Sequence, residues 1–307
     1  MLPPLLFVHA HPDDETLTTG VAMAHYVRVG HPVHLLTCTL GDEGEVIPGE
    51  LADLASTHAD TLGPHRREEL REAMAVLGVQ HRVLGEDPVS RIASRYRDSG
   101  MAGTPSAANP SAFVNADLDE AATLVADVVR ELGPSAVITY DRNGGYGHPD
   151  HIQTHRVTCA ALASLDDDLR PPLFAVLTPR SWAREDRQWL ARHRVAAGDE
   201  GAGGDGGDSR WLLPDPDGDY PASVVDDVLV THELVFPELV PVQAEALRRH
   251  RTQVTVAADG LSYALSNDVA ARLSGREGYA AIDPTTGDLA ENRGDPRHTG
   301  LVPEPAR

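Results

Sequence analysis

The sequence contains no lysine, since all 26 of its basic residues are arginine. Without a lysine amine the chain cannot form a Schiff base or bind pyridoxal phosphate, and it has no Walker A phosphate loop. It also lacks a run of ~20 apolar residues that could cross a bilayer, and its amino terminus does not read as a signal peptide. We therefore expect a cytoplasmic protein.

Cysteine is nearly absent, with only Cys38 in a strand-like run and Cys159 in a helix-like run. Two thiols in such apolar runs do not form a disulfide framework. We expect both to be small core residues.

Positive charge is scarce, and the formal net charge is −21. Binding of nucleic acid or of an anionic membrane needs a positive patch, which the sequence does not show. A neutral or cationic small molecule is the partner that fits this charge better.

The remaining composition is that of a globular protein, with 307 residues, 41% hydrophobic and 24% charged, enough to bury a large core. Apolar runs predict strands at 5–10, 33–40, 82–84, 136–140 and 173–177. Apolar residues at three- and four-residue spacing predict helices at 15–29, 60–77, 118–132 and 151–165. This alternation predicts an α/β class protein with a Rossmann-like, doubly wound, mostly parallel sheet.

The alternation weakens after Leu177, so we predict a catalytic core over 1–177 and a smaller C-terminal region over 178–307. Residues 198–209 are rich in Gly and Asp and indicate a flexible insertion. The C-terminal region is predicted to contain a strand at 223–231, an Arg-rich helix at 239–251 and a polar tail. Within the core, the loop 85–116 is long for a compact domain, and we expect it to contact substrate.

Two motifs rich in His and Asp each follow a predicted strand. His9-Ala10-His11-Pro12-Asp13-Asp14-Glu15 follows the first strand, and Gly147-His148-Pro149-Asp150-His151 comes after the strand that ends at Tyr140. In a doubly wound sheet the ligand lies beyond the carboxyl ends of the strands. The topology is therefore expected to bring the two motifs together.

Together the motifs offer ligands for a metal. Catalytic zinc typically takes about three protein ligands and leaves a position for water, and His11, Asp14 and His151 can supply that set. Asp13 can face the substrate side and act as general base toward the water that a metal activates. His9 lies inside the strand, and we expect it to support the site. Two imidazoles and a carboxylate also suit Fe(II).

The second motif adds candidate catalytic groups. A cationic His148 would face a developing oxyanion, Asp150 could orient an imidazole, and Tyr146 offers a phenol donor. Gly144, Gly145 and Gly147 leave room for close approach.

Simpler explanations remain open for these residues. Asp13, Asp14 or Asp150 could be plain helix N-caps, because Asp is favoured there. The glycines could belong to an ordinary turn.

The two motifs resemble those of the LmbE-like zinc de-N-acetylases, relatives of N-acetylglucosaminyl-phosphatidylinositol deacetylase, up to about Ala163. More narrowly, the chain is similar to the actinobacterial mycothiol-biosynthesis group of that family, which deacetylates N-acetylglucosaminyl-inositol. This likeness is carried by the runs Thr37–Gly41, Glu43–Val46, Tyr96–Met101 and Asn143–His148.

The resemblance implies Zn²⁺ on His11, Asp14 and His151, with Asp13 as general base. It implies that His148 is a general acid or oxyanion stabiliser tuned by Asp150, and that Tyr146 polarises the amide carbonyl. Arg66 and Asp98 are implied to hold sugar or inositol hydroxyls. Arg67 beside Arg66 is a rival, Arg66 could lie on a solvated helix face, and Asp98 could close a turn. Which group protonates the leaving amine stays open.

Two other functions compete with this interpretation. A mycothiol S-conjugate amidase would use the same chemistry on a bulkier amide, but that sister group carries Pro at the position of Gly147 and lacks the loop 98–101. A sugar- or nucleotide-binding module without turnover is less favoured, because the first strand–helix turn lacks Gly-x-Gly-x-x-Gly. Past Leu177 the likeness is weak, and a homo-oligomer stays open.

Overall fold

The computed structural model describes residues 2–87, 89–193, 211–290 and 296–302. The predicted insertion at 198–209 lies outside the described residues. No helix in the described ranges is both long and apolar enough to span a membrane.

The described helices follow the predicted ones closely through the first half of the chain and include two that were not predicted, α4 and α6. They are α1 Asp14–Arg28, α2 Leu62–Leu77, α3 Leu118–Leu132, α4 Gly144–Gly147, α5 Pro149–Ala163, α6 Arg180–His193 and α7 Val240–Leu247.

The strands include every one predicted for the core. They are β1 Leu5–His9, β2 Val33–Thr37, β3 Gln80–Val83, β4 Ala136–Thr139, β5 Leu173–Pro179, β6 Val224–Val225, β7 His232–Val235, β8 Thr255–Val256, β9 Ser262–Ala264, β10 Ala271–Arg272, β11 Arg276–Asp283, β12 Asp288–Leu289 and β13 His298–Thr299.

Ten of the strands in the described ranges form one sheet, along the path β13-β7-β11-β5-β4-β1-β2-β3 with β12 beside β11 and β6 beside β5. From β3 to β5 all pairings are parallel. This confirms the predicted doubly wound, mostly parallel α/β architecture. A separate three-stranded sheet is antiparallel, with the order β10-β9-β8.

Helices cover both faces of this sheet, which explains the continuous apolar strands. Leu6 and Val8 of β1 pack into one cluster with α3 and α5. The alternate residues Leu5 and Phe7 pack into a second cluster with α1, α2 and α7. Side chains alternate along a strand, so burial on both faces requires apolar residues at every position.

Besides α6, the C-terminal region departs from the prediction in its strands. The strand expected over 223–231 is wrong for most of its length: β6 covers two of its residues, and a 3-10 helix at Asp227–Leu229 interrupts it. The polar tail contains β11, which pairs antiparallel with β5. Residues on both sides of Leu177 thus share one sheet, and the domain division there stays a prediction.

Both predicted core cysteines are buried free thiols, Cys38 and Cys159. Cys38 packs with Leu36 and Val8 in the cluster that also contains Cys159. They serve as small apolar residues, as expected.

Candidate active site

A cavity of about 680 Å³ opens at the carboxyl ends of the parallel strands. Both His- and Asp-rich motifs line it, because β1 ends at His9, in the first motif, and β4 ends at Thr139, before the loop that leads to the second motif. Ligand pockets commonly measure about 300–1,000 Å³. The cavity is therefore large enough for a ligand of disaccharide size.

Three polar atoms from the predicted metal ligands form a small triangle in this cavity. Nδ1 of His11 lies 3.2 Å from Oδ2 of Asp14, Nε2 of His151 lies 3.2 Å from the same oxygen, and the two nitrogens are 3.3 Å apart. Ligand atoms about 2.0–2.1 Å from a tetrahedral ion are separated by about 3.3 Å, so these residues fit a zinc ion.

Charge supports the same donor set. Burial alone would raise the pKa of Asp14, but the imidazoles of His151 and His11 hold it well below its usual range. Asp14 is therefore an ionised carboxylate, which is the form that binds a cation.

The other nitrogen of His11 faces a second carboxylate. Its Nε2 lies 3.1 Å from Oδ2 of Asp150, which also accepts a hydrogen bond from the Ser99 N–H at 2.9 Å. The Ser99 hydroxyl donates to Oδ1 of Asp150. A carboxylate on the far nitrogen of a metal-binding imidazole fixes the tautomer and orientation of the ring.

Asp150 thus orients a different imidazole from the one that the resemblance implied. Its carboxylate contacts His11, whereas toward His148 only the Asp150 backbone N–H is engaged, donating to Nδ1 at 3.1 Å. Asp150 is the second residue of α5, and the side chain that caps this helix is His148. The assignment of Asp150 to tuning His148 is corrected accordingly.

Among the described residues, two other sets of three potential ligand atoms share His11. One is His11 with His148 and His151, and the other is His11 with Asp98 and Asp150. In the second set Asp150 already accepts two hydrogen bonds from Ser99. In the first, burial and then the imidazoles of His11 and His151 lower the pKa of His148 to about 3, and its Nδ1 accepts a backbone hydrogen bond. The carboxylate of Asp14 makes its own set the better cation site.

His151 is held by the residues packed around it. Its ring stacks on Tyr140 with centroids 4.3 Å apart, and the Tyr140 hydroxyl accepts a hydrogen bond from the Ala10 N–H at 2.9 Å. Gly144 has φ 61°, and a Cβ there would lie 2.7 Å from both Cβ of His151 and the backbone nitrogen of Ile152. This glycine is needed for close approach to α5.

Asp13 lies beside the triangle in an unusual backbone conformation, with φ 117° and ψ −37°. It occupies the N-cap position of α1, but its carboxylate makes no capping hydrogen bond. Burial raises the pKa of Asp13 to about 7, against the opposing effect of the Arg66 guanidinium, which lies 3.3 Å from its Oδ2. The carboxylate is therefore free to exchange a proton near neutral pH.

The adjacent residues Arg66 and Arg67 differ in burial and in their contacts. Arg66 is 3% exposed, lines the cavity and donates to the Gly41 carbonyl at 2.8 Å. Arg67 does not line the cavity and pairs with Glu86 where both side chains are partly exposed. Arg66 therefore does not lie on a solvated helix face.

Asp98 and Tyr146 also line the cavity. Oδ1 of Asp98 lies 3.4 Å from Nε2 of His11, and it accepts a hydrogen bond from the Gly100 N–H at 2.8 Å. Tyr146 is 56% exposed, and its ring packs edge-on against His151 with centroids 5.0 Å apart. Asp98 belongs to the long loop predicted to contact substrate, and that loop reaches the cavity.

His9 lies behind the site and does not line the cavity. It is fully buried, its Nε2 is 3.0 Å from the Thr19 hydroxyl, and burial lowers its pKa to about 4. The supporting position expected for His9 agrees with these contacts.

The sequence did not single out Tyr140 and Ser99, which also hold the site together. Tyr140 directly follows β4, a position that could have indicated a role at the carboxyl edge of the sheet. Ser99 had no comparable signal, because its partner Asp150 lies 51 residues away.

The sequence matches the model of the GlcNAc-PI de-N-acetylase family, PIG-L, over residues 6–162. It is 45% identical to the 1D-myo-inositol 2-acetamido-2-deoxy-alpha-D-glucopyranoside deacetylase of Rhodococcus erythropolis, over 94% of each chain. It is 46% identical to the enzyme of the same name from Geodermatophilus obscurus, over 91% of each chain. Among solved structures it is similar to N,N'-diacetylchitobiose deacetylase from Pyrococcus horikoshii, with a TM-score of 0.48, 16% identity and coverage of 81% of this chain and 70% of that one.

Proposed function

We propose that this chain, which belongs to the GlcNAc-PI de-N-acetylase family, is a metal-dependent deacetylase of 1D-myo-inositol 2-acetamido-2-deoxy-alpha-D-glucopyranoside. The products are acetate and glucosaminyl-inositol, and the reaction is a step of mycothiol biosynthesis. The observation that carries the proposal is the triangle of His11, Asp14 and His151 with the Asp13 carboxylate beside it. Relatives of 45% and 46% identity over more than nine-tenths of the chain support the substrate.

His11, Asp14 and His151 would hold Zn²⁺, and Fe²⁺ is the alternative that the same donor set accepts. When bound, the ion supplies Lewis acidity, which polarises the acetyl carbonyl and acidifies water. Asp150 fixes the ring of His11 through the 3.1 Å contact with its Nε2. The ligands are thus oriented before the ion arrives.

Asp13 moves the proton of the reaction. It takes a proton from the attacking water as the new C–O bond forms at the acetyl carbon. It then gives the proton to the amine nitrogen as the C–N bond breaks, so that the products are acetate and a free amine. A carboxyl with a pKa of about 7 suits both transfers.

His148 stabilises the carbonyl oxygen as a neutral donor. Because its Nδ1 accepts the Asp150 N–H, the ring proton lies on Nε2. A neutral imidazole donates a hydrogen bond without releasing its proton, so the return of the proton to the amine falls to Asp13. This replaces the cationic His148 expected from the sequence. Tyr146 on the cavity wall offers a second donor to the same oxygen.

The sugar and inositol would lie further out in the cavity, where Asp98 and Arg66 offer polar groups to ring hydroxyls. Both residues also contact the catalytic groups, since Arg66 pairs with Asp13 and Asp98 lies against His11. Arg66 and Asp98 would therefore both bind substrate and hold the catalytic groups in place.

The test is a comparison of rates on two substrates with the purified protein loaded separately with Zn²⁺ and Fe²⁺. We expect acetate release from N-acetylglucosaminyl-inositol with kcat/KM at least about tenfold above that for a mycothiol S-conjugate, a difference of ~1.4 kcal/mol in transition-state binding. The matched control is Asp13→Asn, which should retain the metal and lose roughly 10²–10⁴-fold in rate. Preference for the conjugate would establish the amidase instead, and a rate unchanged by Asp13→Asn would refute the role of Asp13.

A further inference from the structure

His250 and Glu15 form a buried pair underneath the site. Nε2 of His250 lies 3.0 Å from Oε1 of Glu15, and both side chains are fully buried. His250 lies in the turn after α7, 235 residues from Glu15 along the chain. The C-terminal region thus contacts the first motif through a residue that does not line the cavity.

Glu15 in turn holds the backbone of Asp13. Its Oε2 accepts a hydrogen bond from the Asp13 N–H at 2.9 Å, and its Oε1 accepts one from the Thr16 hydroxyl at 2.6 Å. Asp13 has φ 117°, in a region that non-glycine residues avoid. Such a conformation persists only where surrounding contacts hold it.

The same C-terminal turn also contacts α2, the helix whose Arg66 pairs with Asp13. The N–H and hydroxyl of Thr252 donate to the Glu69 carboxylate at 2.9 Å and 2.7 Å. Glu69 is on α2, the helix that carries Arg66, whose guanidinium lies 3.3 Å from Oδ2 of Asp13. One short turn therefore contacts both Glu15 and the helix that carries Arg66.

Among the described residues, the His250 side chain has few polar contacts other than the one with Glu15. In the described ranges its Nδ1 has no hydrogen-bond partner, and neither His250 nor Glu15 is among the described residues that line the cavity. The ring therefore does not touch substrate, and its side-chain contact toward the site is with Glu15.

We propose that His250 is a positioning residue: through Glu15 it holds the Asp13 backbone in the conformation that presents the carboxylate to the cavity. The inference rests on the proposed function, because it takes Asp13 as the group that moves the proton. A misplacement of a catalytic group by about 1 Å can lower the rate by ~10²-fold. Loss of His250 should therefore reduce kcat more than it changes substrate binding.

The test compares two variants at this position with a buried histidine elsewhere. His250→Leu should lower kcat roughly 10–100-fold, leave KM within about twofold and retain bound metal. His250→Gln, whose amide nitrogen reaches the position of Nε2, should recover kcat to within about fivefold of the wild-type protein. The control is His31→Leu, because His31 is also buried and precedes β2 at the opposite edge of the sheet. An equal loss of kcat in that control would overturn the inference.

A double-variant cycle tests whether the effect passes through Asp13. In an Asp13→Ala background, His250→Leu should lower the residual rate by less than about twofold, because the group that it positions is gone. A further loss as large as in the wild-type background would assign His250 a general structural role and overturn the inference.

Two more measurements keep the inference independent of folding and of the proposed function. If His250→Leu does not fold, His250→Asn replaces it in the comparison. The shorter amide of Asn does not reach Glu15, so kcat should stay low in His250→Asn and be restored in His250→Gln. Equal kcat values in these two variants would overturn the inference. A crystal structure of His250→Leu or His250→Asn should show Asp13 at negative φ, and a retained φ near 117° would overturn it. An inactive wild-type protein would refute the proposed function, whereas a wild-type kcat in His250→Leu and His250→Asn would refute the positioning role alone.

Discussion

Nε2 of His11 lies 3.1 Å from Oδ2 of Asp150, so a carboxylate on α5 fixes the ring of the first metal-ligand candidate on the loop after β1. The same Oδ2 accepts the Ser99 N–H at 2.9 Å. Three segments of the chain are joined at this carboxylate. The donor triangle therefore depends on a residue that does not belong to it.

Replacing this carboxylate should weaken metal binding without removing a ligand. We expect Asp150→Asn to lower zinc affinity about 10–100-fold, the usual effect of losing the partner of a metal-binding imidazole. Competition with a chromophoric chelator measures the affinity. Asp167→Asn, at an exposed aspartate paired with Arg170, should leave the affinity unchanged. Equal affinities in both variants would show that Asp150 does not orient His11.

The adjacent arginines offer a matched pair for activity. Arg66→Met should lower kcat/KM roughly 10²-fold, because Asp13 loses the guanidinium 3.3 Å from its Oδ2. Arg67→Met removes only a surface pair with Glu86, of a kind worth about 0–1 kcal/mol, and should stay within about twofold of the wild-type protein. A larger effect at Arg67 than at Arg66 would contradict the geometry of α2.

Alanine substitutions at two glycines with positive φ distinguish the effect of backbone strain from that of a steric clash. Gly133→Ala places a Cβ in open space at φ 55°, so it should lower the free energy of unfolding by about 1–2 kcal/mol and leave kcat unchanged. Gly144→Ala adds a contact of 2.7 Å with Cβ of His151. It should lower stability by about 1–3 kcal/mol and also reduce kcat and zinc affinity. Urea unfolding and rate measurements on both variants check this, and unchanged kcat in Gly144→Ala would count against the close approach.

Glu277 gives a pH dependence of stability. Burial raises its pKa to about 7, against hydrogen bonds from the Tyr279 hydroxyl and from the N–H groups of Val21 and Ala22. Between its usual pKa of 4.5 and about 7, the folded protein holds a proton that the unfolded chain has lost. The stabilisation is fully present below pH 4.5 and is lost as the pH rises through about 7.

At ~1.4 kcal/mol per pKa unit, this contribution from Glu277 is on the order of 3–4 kcal/mol. Glu277→Gln should remove it, so the free energy of unfolding of the variant relative to the wild-type protein should rise between pH 5 and pH 8. Urea titrations across that range measure the difference. Glu238→Gln, at an exposed site paired with Arg28, is the control and should show no such trend. A difference independent of pH for Glu277→Gln would exclude the buried carboxyl as its source.

Local signals were sufficient to predict the core elements. α3 spans Leu118–Leu132 as predicted, because Asp117 caps its first turn by accepting the Glu120 N–H and Gly133 ends it in the left-handed conformation. β1 is apolar at consecutive positions because both of its faces are covered. The pattern breaks down after Leu177, where β11 is an antiparallel strand with Arg276, Glu277 and Asp283 in its sequence.

The site was predictable as a set of residues but not as a set of contacts. His11, Asp14 and His151 lie together as the strand order required. The pairing of Asp150 with His11 in place of His148 could not be predicted, because side-chain direction at the start of α5 is set by packing against the loop that carries Ser99.

The sequence by itself determined which groups are available for chemistry, and periodicity placed both motifs at one edge of a parallel sheet. Only the tertiary structure decided how each group is held: Asp13 at φ 117° by Glu15 and His250, and the ring of His11 by Asp150. The physical reason is range. Strand and helix patterns depend on neighbours within a few residues, whereas the contact between Glu15 and His250 joins residues 235 positions apart and exists only once the sheet has brought them together.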